Sequence, residues 1–152
     1  MLSVVIPAYN EQETVAAAAE EIGHVLFAAE IPHELIFIDD GSKDRTWECI
    51  CAEAQRRCDV RGARFSRNFG KEAAIYAGLK AAKGDYVATL DADLQDPPAL
   101  LPELYRAVTE EGYDCAAAVQ SSFIRSSAAQ RGSICPAPRI SNSSTARLWT
   151  CF

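Results

Sequence analysis

No stretch of the 152-residue chain stays apolar for long. Runs such as Val15 to Ala19 and Val25 to Ala29 stop after five residues, far short of the roughly 20 that a helix needs to cross a bilayer. No membrane-spanning helix is therefore expected. The start, Met-Leu-Ser-Val-Val-Ile-Pro, has no basic residue ahead of its apolar stretch, and Glu11 and Glu13 follow soon after, which is not a secretory signal. A cytoplasmic location is the expectation. The six cysteines (49, 51, 58, 115, 135 and 151) form no Cys-x-x-C pair and have no His at ligand spacing. A zinc cluster is therefore not predicted, and a reducing compartment would keep them as thiols. Positive charge is scarce as well. With 15 Lys and Arg against 21 Asp and Glu, the net charge is −6, which argues against a nucleic-acid partner. Glycine-rich phosphate loops are missing too. The first apolar run leads into Pro7-Ala8-Tyr9-Asn10-Glu11 instead of G-x-G-x-x-G, and no G-x-x-x-x-G-K-[ST] occurs, so dinucleotide dehydrogenases and P-loop enzymes are excluded.

What is present suits one globular domain: 49% of the residues are apolar and 24% charged, over a length that supports a single core. The charge is unevenly spread. Residues 1–114 carry 11 Lys and Arg and all 21 acids (net −10), whereas 115–152 carry four Arg and no acid (net +4). The second stretch also holds eight Ser and has no sustained helical or strand period. Two segments are expected: a domain over 1–114 and an atypical Ser/Arg-rich tail over 115–152. A truncation or a reading-frame change would produce such a tail, and an intact coding sequence around codon 115 would dismiss that origin; a flexible polar tail is the alternative.

Within 1–114, strand and helix patterns alternate. Leu2 to Ile6 is an apolar run ended by Pro7, and Val15, Ala18, Ile22, Leu26 and Ala29 then fall on one helical face. Glu34 to Ile38 is a second strand, followed by Asp39-Asp40-Gly41-Ser42 and a helix marked by Trp47, Ile50, Cys51 and Ala54. Val60 to Phe65 reads as an edge-like strand, and Ile75, Gly78, Leu79 and Ala82 mark a helix beginning near Lys71. Tyr86 to Leu90 is a fourth strand, Leu100 to Val108 a helix, and Tyr113 to Val119 a fifth strand. Such alternation predicts an α/β fold with a mostly parallel sheet flanked by helices. In such sheets ligands bind beyond the carboxyl ends of the strands, where Asn10/Glu11, Asp39/Asp40 and Asp91/Asp93 would converge.

Asp91-x-Asp93 offers two hard oxygen ligands for Mg²⁺ or Mn²⁺, ions that keep positions open for substrate phosphates. The same acids also suit an ordinary turn before Pro97 and Pro98. Asp39-Asp40-Gly41-Ser42 has a double reading as well, since Ser42 or Asp44 could cap the helix containing Trp47. Asp39 is the freer of the two acids to accept hydrogen bonds from a base, with Tyr9 to stack on the base and Glu11 to contact ribose or base edges. Lys71 reads first as a helix-start surface residue.

Four blocks in order carry a resemblance: Val4-Val5-Ile6-Pro7-Ala8-Tyr9-Asn10-Glu11, Phe37-Ile38-Asp39-Asp40-Gly41-Ser42, Arg64-Phe65-Ser66-Arg67-Asn68-Phe69-Gly70-Lys71 and Leu90-Asp91-Ala92-Asp93-Leu94-Gln95-Asp96-Pro97-Pro98. Residues 1–114 resemble the inverting family-two glycosyltransferases of the Rossmann-like GT-A fold, and among them the polyprenol-phosphate hexose synthases. The resemblance implies transfer of a hexose from a UDP- or GDP-sugar to a polyprenyl phosphate, with inversion, at the cytoplasmic face of a membrane to which relatives attach through C-terminal segments. It implies Asp91 and Asp93 as catalytic and metal-binding residues with Mg²⁺ or Mn²⁺. Pro7, Tyr9, Glu11 and Asp39 would line the nucleoside pocket with Phe37 beside it, Ala92 and Gln95 would flank the sugar nucleotide, and Asn68 and Lys71 are lesser candidates. Relatives carry a diphosphate-binding arginine soon after the fifth strand; here Val119-Gln120-Ser121 stands at that place and Arg125 is displaced. Two further readings remain open: a non-catalytic nucleotide-sugar-binding module, and a transferase acting on a sugar hydroxyl, which would need a base carboxylate. A phosphoacceptor receiver domain fits poorly, because it needs its acidic pair after the first strand.

Overall fold

A computed structural model describes residues 1–110 in full and, beyond them, the backbone of four short strands. The elements are β1 (Leu2–Ala8), α1 (Val15–Ala28), β2 (His33–Asp39), α2 (Thr46–Arg56), β3 (Val60–Arg64), α3 (Lys71–Ala81), β4 (Tyr86–Thr89) and α4 (Leu101–Thr109), then β5 (Ala116–Val119), β6 (Ser122–Arg125), β7 (Ser133–Pro136) and β8 (Trp149–Cys151). They build one sheet in the order β6-β5-β7-β4-β1-β2-β3-β8. The four central strands are parallel, and β5 to β8 pair antiparallel around them.

The apolar run of β1 is buried on both faces, as a central parallel strand requires. Leu2, Val4 and Ile6 join the core under α1, α2 and α4, together with Ile22, Leu26, Phe37, Ile50 and Leu104. The alternate residue Val5 points the other way and packs with Ile36, Ile38, Phe65, Ala74 and Ala77 under α3. α3 therefore faces one side of the sheet and the other three helices the opposite side.

Four sequence expectations shift. β1 runs through Pro7 to Ala8 instead of ending at Ile6. Its pairing with β4 stops at Val5, so a residue without an N–H forfeits no bond to that neighbour. β3 is not an edge, since β8 pairs along it. α3 buries Ala74, Ala77 and Gly78, with Ile75 and Leu79 only half-buried. A Cβ on Gly78 would meet Val5 Cγ1 at 2.2 Å, so the helix rests on β1 along its small residues and turns its larger ones aside. Finally, Cys49 and Cys58 are free thiols but Cys51 is disulfide-bonded, contrary to six thiols. The expected strand over 113–119 is present over Ala116–Val119, antiparallel to its neighbours; residues 113–115 lie outside the described residues. Among the described residues no helix is long and apolar enough to cross a membrane.

Candidate functional site

Because β1, β2, β3 and β4 run parallel, their exit loops share one edge of the sheet. A cleft of about 290 Å³ opens there, lined by Pro7, Ala8, Tyr9 and Glu11 after β1, Asp40 after β2, Asn68, Gly70 and Lys71 after β3, and Asp91, Ala92 and Asp93 after β4.

The loop after β1 is bolted to the loop after β2. Asn10, in the left-handed region at φ 57°, donates its N–H to Ser42 Oγ at 2.9 Å and accepts the Lys43 N–H at 3.0 Å. The Glu11 N–H donates to Thr46 Oγ1 at 2.8 Å. These bonds hold the half-exposed Tyr9 ring at the cleft mouth. Asp44, not Ser42, serves the start of α2, accepting the Thr46 N–H at 3.0 Å. Desolvation pushes its pKa up, but hydrogen bonds from the Thr46 hydroxyl and from the Thr46 and Gln12 N–H groups outweigh it and leave it below the ordinary carboxylate value.

Asp40, only 4% exposed, accepts the Phe69 N–H at 2.7 Å and the Gly70 N–H at 2.9 Å. Its carboxylate thus shapes the loop that enters α3, where Gly70 takes φ 97°, a conformation that favours glycine. Across the cleft, Lys71 Nζ reaches both oxygens of Asp91, at 2.6 and 2.7 Å. The lysine that reads as a helix-start surface residue spans the site. Asp93 accepts the Gln95 N–H at 3.2 Å within its own turn, and Leu94 between them sits at φ 56°, uncommon for a residue with a side chain. The turn and the carboxylate pair are the same object.

Of the residues expected from sequence, Pro7, Tyr9, Glu11, Asp91, Ala92 and Asp93 come together in the cleft, with Asn68 and Lys71. Phe37, Asp39 and Gln95 are not among its lining. Phe37 is fully buried in the core under α1 and α2. Asp39 is fully buried as well: Oδ1 accepts the Ser42 N–H at 2.9 Å, while Oδ2 lies 3.0 Å from Arg64 Nε. That second contact is an ion pair out of hydrogen-bonding alignment, and the oxygen makes no hydrogen bond. Ala8 and Gly70 line the cleft without having been singled out, and Asp40, expected at this edge with Asp39 but given no role in the pocket, lines it too. Asp40 was visible as the second acid of its pair, but neighbouring residues at a strand end point to opposite sides, and only the register tells which one faces the cleft. Gln120 and Ser121 lie outside the described residues.

With Glu11, Asp40, Asp91 and Asp93 against Lys71, the cleft would repel an unaccompanied diphosphate. The hard carboxylate oxygens of Asp91 and Asp93 are of the kind that bind a divalent ion, and Asp91 here pairs with the Lys71 ammonium. Among the described residues no three His, Cys, Asp or Glu converge on one point, so such an ion would take further ligands from phosphates and water.

The model of glycosyl transferase family 2 matches residues 3–148. The chain belongs to this family. A curated family member, the undecaprenyl-phosphate 4-deoxy-4-formamido-L-arabinose transferase of Serratia proteamaculans, is 42% identical over 135 residues, covering 85% of this chain and 41% of that protein. An uncharacterized glycosyltransferase of Synechocystis is 41% identical over 121 residues, 80% of this chain and 38% of its own. The chain thus spans about two-fifths of the curated relatives it matches. Among solved structures, the glucosyl-3-phosphoglycerate synthase of Mycobacterium tuberculosis in complex with Mn²⁺, UDP-glucose and phosphoglyceric acid aligns at TM-score 0.61 and 30% identity, over 76% of this chain and 42% of that one. A mannosyltransferase of Pyrobaculum calidifontis aligns at TM-score 0.66 and 22% identity, over 78% of this chain and 35% of that one, which supports the family's GT-A fold.

Proposed function

We propose that this chain is the donor-binding part of a glycosyltransferase that moves a sugar, a hexose or a pentose such as the relative's arabinose, from a nucleotide diphosphate sugar to a polyprenyl phosphate, with inversion, at the cytoplasmic face of a membrane. One observation carries the reading: an acidic cleft built from four parallel strand ends, with Lys71 set across it against Asp91, in a chain whose 42%-identical relative is named for transfer to undecaprenyl phosphate. In this reading residues 1–114 are the donor-binding unit, and the Ser/Arg-rich stretch 115–152 adds β5 to β8 around its sheet.

In this reading Tyr9 flanks the base, Pro7 and Glu11 border the nucleoside, and Ala92 lies along the sugar nucleotide. Phe37 and Asp39 form the wall behind that pocket, Asp39 by tying Ser42 and Arg64 together, and Gln95 follows on the loop beyond Asp93. Asp91 and Asp93 would hold the Mg²⁺ or Mn²⁺. The chemistry a bound divalent ion would supply is neutralisation of charge on the departing diphosphate. Lys71 leaves Asp91 for the phosphates and adds positive charge beside them. As the bond from the anomeric carbon to the diphosphate oxygen breaks, the electron pair leaves with the nucleoside diphosphate, and an acceptor phosphate oxygen bonds from the opposite face. A phosphate monoester has its second pKa near about 6, so that oxygen is already anionic and needs no strong base; alignment supplies the rate.

The test is thermal unfolding of the chain with UDP, GDP and their sugars, with and without Mn²⁺, beside an Asp91→Asn/Asp93→Asn variant. Ligand at 100 times its dissociation constant adds about 2.7 kcal/mol, or roughly 5–10 °C at this size. The reading expects metal-dependent stabilisation by one nucleotide, lost in the variant. A cooperative transition that no nucleotide moves would sink it.

A further inference from the structure

We propose that the outer face of α3 and the loop entering it form a docking surface for an anionic lipid bilayer. The segment stands out in charge. Residues 64–83 hold five basic residues (Arg64, Arg67, Lys71, Lys80 and Lys83) and one acid, Glu72; with Arg64 paired to Asp39 and Lys71 to Asp91, the other three cations and Glu72 leave a net +2, inside a domain that is −10 over 1–114. It also carries two of the large apolar side chains left in water: Phe69 is 52% and Tyr76 50% exposed. Each ring has a cation beside it, the Arg67 guanidinium 4.8 Å from the Phe69 centroid and Lys80 Nζ 5.0 Å from that of Tyr76. Tyr76 and Lys80 are four residues apart on one helical stripe, which Glu72 shares.

Aromatic rings of amphipathic character settle at the headgroup level of a bilayer, and each Lys or Arg near an anionic surface adds about a fivefold gain in partitioning. A screening length of about 8 Å at physiological salt lets this local patch act in spite of the acidic remainder. The position is also apt. Asn68, Gly70 and Lys71 line the cleft, while Arg67 and Phe69, alternating with them in the same loop, carry the exposed ring and its cation. A bilayer lying along α3 would bring the cleft mouth to the headgroup plane, where a lipid-borne phosphate resides. The inference rests on the proposed acceptor for its purpose but not for its test.

The experiment is co-sedimentation of the full chain with vesicles of phosphatidylcholine alone and of phosphatidylcholine mixed with phosphatidylglycerol, free of polyprenyl phosphate and nucleotide. The wild type should partition onto the anionic vesicles and release as salt rises. Tyr76→Ser/Lys80→Glu should lower that partitioning at least about tenfold. Phe27→Ser should leave it unchanged, although Phe27, on α1 across the sheet, is 79% exposed. Arg67→Glu, a loop substitution with no helix to disturb, should weaken it in the same direction, and a urea midpoint for each variant separates lost binding from lost folding. Equal partitioning onto both vesicle types, or retention by folded Tyr76→Ser/Lys80→Glu or Arg67→Glu, overturns the proposal. A loss as large in Phe27→Ser does so too. Failure here leaves nucleotide stabilisation untouched, so it is distinguishable from failure of the glycosyltransferase reading.

Discussion

Lys71 bears on two readings that sequence alone left side by side. As a mere surface residue, its pair with Asp91 contributes little, because the lysine is 54% and the aspartate 37% exposed, and such pairs add at most about 1 kcal/mol. Lys71→Met should therefore move the unfolding midpoint by no more than roughly 4 °C. If Lys71 serves the diphosphate, the same variant should lose most of the nucleotide-induced stabilisation. A thermal scan with and without nucleotide reads both effects, and an unchanged ligand shift returns Lys71 to the surface role. The Asp39-Asp40 pair teaches a related lesson. Both acids are legible as ligand-type residues after a strand, yet Asp39 is sealed behind Ser42 and Arg64, and Asp40 is the one that lines the cleft.

At the scale of elements, α3 packs on β1 through Gly78 with no room for a methyl group. Gly78→Ala gains up to about 1 kcal/mol of helix propensity but overpacks against Val5, at a cost of about 1–3 kcal/mol. The expected net result is destabilisation of about 1 kcal/mol. Val5→Ala alone leaves a cavity, and the double variant Val5→Ala/Gly78→Ala should be less destabilised than the sum of the two, since the new methyl enters the space the valine vacates. Urea denaturation of the three variants measures the coupling; strict additivity would mean that the helix simply moves away. The existence of α3 was legible from its apolar period. Its buried stripe was not, because a helix that approaches a strand closely buries its smallest side chains, and hydrophobicity ranks those last.

Across the whole molecule, the edge opposite the cleft is tied by one carboxylate. Glu34 of β2 accepts the Ser3 hydroxyl of β1 at 2.6 Å, the Lys83 N–H ahead of β4 at 2.7 Å and Arg61 Nη1 of β3 at 2.7 Å. Burial pushes its pKa up, but these hydrogen bonds and the Arg61 charge outweigh burial and hold it below the ordinary value. With the folded value depressed, the stabilisation is fully present above the unfolded pKa, about 4.3, and drains away as pH falls through the lower folded value. Glu34→Gln should lower stability near neutral pH by about 2 kcal/mol and flatten the acid limb below about pH 4. Urea midpoints across that range check it; an unchanged acid limb would place the sensitivity elsewhere, with Asp59 the next candidate, held low by its hydrogen bonds to Arg57.

The sequence by itself determined the order of strands and helices through 1–110, the acids at the strand ends and the family those blocks resemble, because period and turn chemistry are local properties. Tertiary structure decided that β1 lies between β4 and β2 and that β8 covers β3. It also decided that Asp40 and not Asp39 faces the cleft, and that Lys71 meets a carboxylate 20 residues along the chain. Each of these depends on register and on the separation between elements, which come into being only when the strands pair and the helices pack against them.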